Sequence, residues 1–317
     1  MGHAGGIVGP PRWKTLNLAR RIGYRLLPGE GFSYVLHFRP REWPIMVAHT
    51  SIGFIIAIGL RQTLAGIHVG VYVLAMLVWV GCLNAGTLAI NSAFDRDEGD
   101  IGYLDAPPPP PKRLALVSLT LMAVGQALAF LLPVGFAVAY AVCFAMSVAY
   151  SVPPVRLKAV AGADWVINII GVGILTPFAG WAATGAPLRP DGMWIMIAFG
   201  CLFGALYPLT QIYQFEEDTS RGDRTLARML GVGPSLVASA VAAGLAFLAF
   251  ARALWLAGPT PASRLALIVA GAGWAVVLGP WLVRYRRMSS DEHKRGMYRA
   301  LGVWALTDVA VVAAFAM

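Results

Sequence analysis

The chain is 317 residues long, 58% hydrophobic and only 13% charged, with a mean hydropathy of +0.66 and a formal net charge of +9. A soluble domain carries roughly 25% charged residues, so this composition excludes a surface facing mainly water and implies one facing mainly lipid. In such a chain the excess of cations does not point to nucleic acid, because their placement across a bilayer matters more than their sum.

Residues 1–44 are rich in Arg and contain Gly9-Pro10-Pro11, with no uninterrupted apolar core, unlike a secretory signal. Arg12, Lys14, Arg20, Arg21 and Arg25 alternate with Trp13, Leu16, Leu18, Leu26 and Leu27. That pattern suits either an amphipathic stretch on an anionic membrane surface or a basic tail. The segment is separated from residues 45–317, which read as a single transmembrane domain.

A helix needs about 20 mostly apolar residues to cross the hydrocarbon. Nine stretches qualify, at about 45–62, 69–93, 114–132, 134–151, 162–184, 192–213, 233–256, 264–284 and 298–317. Joints fall at Pro133–Gly135, Gly185–Pro187, Gly231–Pro234 and Gly258–Pro261. The expected fold is therefore all-α, a polytopic membrane protein of about nine helices around a central cavity.

With the N-terminus inside, 21 of the 25 Lys and Arg residues lie on the cytoplasmic side, and only Arg61, Arg189, Arg252 and Arg264 lie opposite. This is the asymmetry of the positive-inside rule. It predicts a bacterial-type inner or plasma membrane protein with a cytoplasmic N-terminus and an external C-terminus.

The acids are as unevenly placed. Asn91-Ser92-Ala93-Phe94-Asp95-Arg96-Asp97-Glu98-Gly99-Asp100 ends the second span, and Gln214-Phe215-Glu216-Glu217-Asp218-Thr219-Ser220-Arg221-Gly222-Asp223-Arg224 ends the sixth. Helical spacing puts Asn91 and Asp95 on one face, and Gln214, Glu217 and Asp218 on another. Two acidic helix ends meeting at one cavity repel unless cations sit between them, and oxygen ligands of this kind suit Mg²⁺. Polar groups at membrane depth are functional candidates.

After the fourth span, Tyr150-Ser151-Val152-Pro153-Pro154-Val155-Arg156-Leu157-Lys158 uses two prolines to stop the helix and stiffen its exit. Arg156 and Lys158 are thereby aimed along a defined path, where they would complete a diphosphate clamp beside metal-bound carboxylates. Asn168 either faces the cavity or bridges two helices. Pro107–Pro111 form a stiff extended spacer, expected to cross the cavity mouth. Cys82, Cys143 and Cys201 stand singly, and the five histidines form no zinc-like pair.

These motifs resemble those of the UbiA superfamily of intramembrane prenyltransferases. The run from Asn91 is similar to the family's Asn-Asp-x-x-Asp-x-x-x-Asp. Tyr150 to Lys158 is like the corresponding family loop. Asp218-Thr219-Ser220-Arg221-Gly222-Asp223-Arg224-Thr225-Leu226-Ala227 to Gly231 is like the second acidic motif and its continuation. With the nine helices, the likeness spans residues 45–317. Departures place the chain on an outlying branch. Ser92 stands where the family commonly has Asp, Asp100 comes one residue late, and Gln214 replaces the first Asp of the second motif.

The resemblance implies an enzyme that moves an isoprenyl group from a prenyl diphosphate to a lipophilic acceptor, with Mg²⁺ assisting ionisation. It implies metal ligands among Asn91, Asp95, Asp100, Gln214, Glu217 and Asp218, with Asp95, Asp218 and Asn91 central to catalysis. Arg156, Lys158, Arg224 and Tyr150 are the implied diphosphate-binding residues. It also implies two similar four-helix units with a ninth helix appended. The alternatives are a UbiA-type terpene cyclase and a non-enzymatic transporter or ion-site protein.

Overall fold

The computed structural model describes residues 18–95, 101–102, 104, 106–215 and 225–317. The described residues form helices, with one isolated bridge between Ile101 and Leu104. Apart from the short turns Leu157–Ala159 and Tyr285–Arg287, the helices in chain order are α1 (Leu18–Leu26), α2 (Gly31–His37), α3 (Trp43–Ile58), α4 (Leu60–Leu64), α5 (Val69–Asp95) and α6 (Leu114–Ala129). There follow α7 (Val134–Ser151), α8 (Ala163–Ala183), α9 (Pro190–Ile212), α10 (Leu226–Leu230), α11 (Val232–Ala257), α12 (Pro261–Arg284) and α13 (Ser290–Phe315).

Among the described residues, nine of these rods are apolar and ordered as the sequence predicts. Seven are long and apolar enough to cross a membrane, while α3 and α6 are shorter apolar helices of 16 residues each. With no water in the hydrocarbon, each backbone group must find its partner within its own rod. The chain is an integral membrane protein.

The boundaries differ from expectation where local chemistry intervenes. Gly59 takes φ +84°, a conformation open to glycine, and so ends α3 at Ile58. The last carbonyls of α3 are not left bare, because the Arg189 guanidinium donates to Ile56 O and Ala57 O at 3.4 Å each. Arg189 is itself held by Asp191 at 3.1 Å and stacks over Trp181. The ninth rod starts at Ser290, not near residue 298, because Ser289 and Glu292 form a reciprocal capping box. The polar start Ser290–Arg299 thus continues the apolar helix that follows.

Two hydrophobic cores result. One is built from α3, α5, α6 and α7, around Trp79, Phe136 and Tyr140. The other is built from α9, α11, α12 and α13, around Phe199, Phe250, Trp274 and Trp304. α3 and α8 contribute to both, Phe54 and Ala179 to the first, Ile52 and Trp181 to the second. The ninth helix is therefore part of the second core and not an appendage.

The α3–α8 seam depends on two glycines. A Cβ on Gly53 would lie 1.7 Å from Pro177 O, and one on Gly180 would lie 1.8 Å from Thr50 O. Both obstacles are backbone, so the helices cross with main chain against main chain, the close approach that small residues permit in membranes. Gly53→Ala and Gly180→Ala are each expected to destabilise the fold by about 1–3 kcal/mol, the usual cost of overpacking. Gly70→Ala, at a helical position with open space around it, is the control. A lower thermal midpoint in detergent for the first two only is the expected result; equal midpoints for all three would refute the seam.

Candidate active site

The polar residues of the second span fall on the last turns of α5. Asn91 and Asp95 share the expected face, and the loop after α7 brings Lys158 to both. The Lys158 ammonium donates to Asn91 Oδ1 at 3.1 Å and forms an ion pair with the Asp95 carboxylate. Arg156 lies 3.6 Å from the same carboxylate oxygen, and Ser151 Oγ donates to Asn91 Oδ1 at 3.4 Å. Lys158 and the Asp95 side chain are both buried. A buried ion pair gains little net stability, because the desolvation of both charges offsets their attraction, yet removing one partner strands the other.

The loop that delivers these cations is held in an uncommon backbone conformation. Arg156 takes φ +37°, in the left-handed region that costs a residue with a side chain about 1 kcal/mol or more. Arg39, just before α3, takes φ +49°. Its guanidinium donates to Ser92 Oγ at 3.1 Å, with both residues buried. Two of the three non-glycine residues with positive φ among those described are thus cations reaching the end of α5. Sequence reasoning noted Ser92 as a departure and missed Arg39, because the contact joins residues 53 apart.

The amino-terminal segment covers this end. Arg20 donates to Ala106 O at 2.9 Å, and the His37 ring meets Pro108 O at 3.1 Å. Tyr24, Leu36 and Leu104 pack into a small cluster of their own. The proline run is therefore tied to α1 and α2; Arg12, Trp13, Lys14 and Leu16 of the basic segment lie outside the described residues. Burial pushes the His37 imidazole down to about 4, so it is neutral at physiological pH.

The second motif is organised by a group the sequence reading passed over. Asp164, in the first turn of α8, is fully buried. Its carboxylate accepts from Gly162 N at 2.8 Å, Gln211 Nε2 at 2.9 Å and Leu226 N at 3.2 Å. Gln211 Oε1 in turn accepts from Ala227 N at 3.3 Å. Asp164 and Gln211 thereby pin the chain on both sides of residues 216–224 to the ends of α8 and α9. A single acid in the first turn of an apolar helix was the available signal.

α9 ends at Ile212, Tyr213 and Gln214 form a turn, and Phe215 is helical again. The Gln214 amide nitrogen donates to Tyr213 OH at 3.2 Å. Asp100, Glu217, Asp218 and Arg224 lie outside the described residues. Tyr150 shares a 3.0 Å hydrogen bond with Tyr207 of α9. Asn168 lines the cavity, and its amide donates to Asp164 O at 2.8 Å within its own helix, a bond that does not bridge two helices.

Below Asn91 lies a cavity of about 110 Å³ between α3, α5, α7 and α8. Its wall is mainly apolar, with Met46, Trp79, Leu83 and Met146, and Tyr150 stands on it near the cation loop. A charged cluster one helical turn from an apolar cavity can hold an anionic head group beside a site for an apolar molecule.

One group on the covering segment titrates in a useful range. Glu42, which precedes α3, has its Oε2 buried without a hydrogen-bond partner, and burial pushes its carboxyl from 4.5 up to about 7, with Arg39 opposing. The folded chain thus holds this proton more tightly than the unfolded chain. Its stabilisation is complete below 4.5 and is lost as pH rises through about 7. Thermal stability should fall between about pH 5 and 8, and Glu42→Gln should flatten that slope; an unchanged slope would show that Glu42 does not carry it.

A model of the UbiA prenyltransferase family matches residues 46–302. Among solved structures, a UbiA homologue from Archaeoglobus fulgidus bound to GPP and Mg²⁺ has TM-score 0.63 and 19% identity, covering 90% of this chain and 100% of that chain. The same homologue bound to DMAPP and Mg²⁺ has TM-score 0.62 and 18% identity, covering 88% and 99%. A structure described as digeranylgeranylglyceryl phosphate synthase in membranes has TM-score 0.67 and 13% identity, covering 90% and 98%. No curated protein matches the chain by sequence.

Proposed function

Starting from the fact that the chain belongs to the UbiA prenyltransferase family, we propose that it moves an isoprenyl group from a prenyl diphosphate to a lipophilic acceptor inside the membrane. The observation that carries the reading is the convergence of Asn91, Asp95, Arg156 and Lys158 at the end of α5, one turn beyond Thr87, which lines an apolar cavity. The homologues bound to GPP or DMAPP with Mg²⁺ support the same substrate class and cofactor.

The donor set suits Mg²⁺, which prefers oxygen ligands and binds through one or two carboxylates plus substrate phosphates. Asp95 and the Asn91 carboxamide supply such oxygens from α5, and Asp100, Glu217 and Asp218 are the candidates to complete the set. When bound there, Mg²⁺ neutralises charge developing on the departing diphosphate. Gln214 offers a carbonyl oxygen as a further candidate ligand.

The chain's own residues then act as follows. Lys158 and Arg156 turn from Asp95 towards the diphosphate oxygens, with Arg39 beside Ser92 and Arg224 adding positive charge. Tyr150 positions the head group from the cavity wall. The allylic C–O bond breaks with its electron pair leaving on the diphosphate, and a nucleophilic carbon of the acceptor forms the new C–C bond and then loses a proton. The apolar wall keeps water from the allylic cation. The excess of cations at this end supports a site on the cytoplasmic side, with the N-terminus inside and the C-terminus outside.

In membranes assayed with geranyl diphosphate, Mg²⁺ and a lipid extract as acceptor source, Asp95→Ala and Asp218→Ala should each lower prenylated product about 10²–10³-fold while insertion is retained. Wild-type turnover in either variant would remove that residue from the site. A cyclic hydrocarbon formed without acceptor would instead establish the cyclase. For orientation, alkaline phosphatase should be active when fused after Met317 and inactive when fused after Arg113; the reverse pattern would place the site outside.

A further inference from the structure

Among the described residues, the hydroxyl and amide side chains on the cavity wall, Asn84 excepted, each have a visible hydrogen-bond partner. Thr87 and Ser147 hydroxyls lie 2.7 Å apart and donate to Leu83 O and Cys143 O. Tyr150 meets Tyr207, Asn168 donates to Asp164 O, and Thr176 donates to Gly171 O at 3.0 Å. Asn84 differs. It lines the cavity, and its Nδ2 is buried with no partner. A buried donor left unmade costs about 1–3 kcal/mol, and hydrocarbon cannot relieve it.

The backbone around Asn84 marks the same place. α5 is π-helical from Leu77 to Asn84, and α8 is π-helical from Ile169 to Leu175 across the cavity. Such widened turns occur often at functional sites. In α8 the carbonyls are taken up by side chains, Gly171 O by Thr176 and Val172 O by His49 at 3.1 Å. In α5 the widened stretch ends at the unpartnered amide.

We propose that this cavity is the acceptor subsite, and that Asn84 recognises a neutral, carbon-rich acceptor by donating to a carbonyl, hydroxyl or ether oxygen. The inference rests on the prenyltransferase reading and adds the acceptor's chemical class. Among the described residues, no Lys, Arg, His, Asp or Glu lines the cavity, so an acceptor carboxylate beside Asn84 would be buried without a counter-charge from them. Asn84 and Asn91 are two turns apart on one face of α5, about 10 Å along the axis. That span accommodates an oxygen held on Asn84, a ring or short chain bearing the reacting carbon, and the first carbon of a prenyl diphosphate whose head group is at Asn91 and Asp95.

The test uses three probes of one size on purified full-length protein in detergent: 1,4-naphthoquinone, naphthalene and 1-naphthoate. Wild type should bind the quinone about 10-fold more tightly than naphthalene, since a site built around a hydrogen bond discriminates against an analogue lacking the oxygen. Asn84→Leu should erase that preference while keeping naphthalene binding, and Asn84→Ser, which retains a donor, should restore part of it. Each should bind 1-naphthoate more weakly than the quinone. A preference that survives in Asn84→Leu, its absence in wild type, or 1-naphthoate binding as tight as the quinone would overturn the proposal. Binding of geranyl diphosphate with Mg²⁺, measured on the same wild-type sample, separates the two readings. Its failure counts against the prenyltransferase, whereas the quinone preference judges the subsite.

Discussion

The crossing of α3 and α8 governs what the rest of the molecule can do. In lipid there is no hydrophobic gain in pressing one apolar helix against another, so association relies on close packing and on interhelical hydrogen bonds. Gly53 and Gly180 allow the two backbones to touch, with Pro177 O and Thr50 O where side chains would otherwise stand. This contact joins two cores that are otherwise built from different helices. A few residues along the same two helices, Met46, Val172 and Thr176 line the cavity. The helices therefore meet tightly in one stretch and part in the next, and the space between them follows from where the glycines lie. His49 spans the same seam, bonded to Val172 O and edge-on to Phe199 and Trp304.

Charge placement follows from the same geometry. The carboxyl ends of α5 and α7 meet through Asn91 and Ser151, and the negative end of a helix dipole favours nearby cations. Lys158, Arg156 and Arg39 all reach this region, two of them from left-handed backbone positions that tertiary contacts must hold in place. Burying Lys158 against Asp95 gives little net stability, so the pair is better understood as preorganised charge than as structural glue. An anionic head group bound with a divalent cation would satisfy both partners, because each gains an opposite charge as it releases the other.

Much of this was legible in the sequence, for definite physical reasons. Long apolar runs broken by Gly and Pro yield nine rods in the right order, because lipid leaves the backbone no other solution. The i, i+4 spacing of Asn91 and Asp95, and the stiff exit through Pro153 and Pro154, anticipate the cluster with Lys158. Helix ends were less legible, since they turn on single capping residues such as Gly59 and the Ser289–Glu292 box. The end of α9 at Ile212, followed by a turn at Tyr213 and Gln214, has no Gly or Pro to announce it. Arg39 with Ser92, and Asp164 with Gln211, join residues 53 and 47 apart, and no local periodicity encodes such pairs.

The polar residues of α5 form a graded series. Asn84, Thr87, Asn91 and Asp95 follow at intervals of three, four and four, so they line one face of a single rod. The deepest, Asn84, is a neutral amide without a partner; Thr87 is a hydroxyl already satisfied by Ser147; Asn91 meets a lysine; Asp95 is ionic. The cost of burying a group rises steeply from amide to unpaired charge, so the order along the helix matches depth from the membrane face. Such a gradient orients any amphipathic molecule in the cavity, since its most charged part is tolerated only near Asp95 and its oxygen-bearing, uncharged part can lie beside Asn84. One helix face thereby sets both the direction in which molecules lie and the distance between two reacting partners.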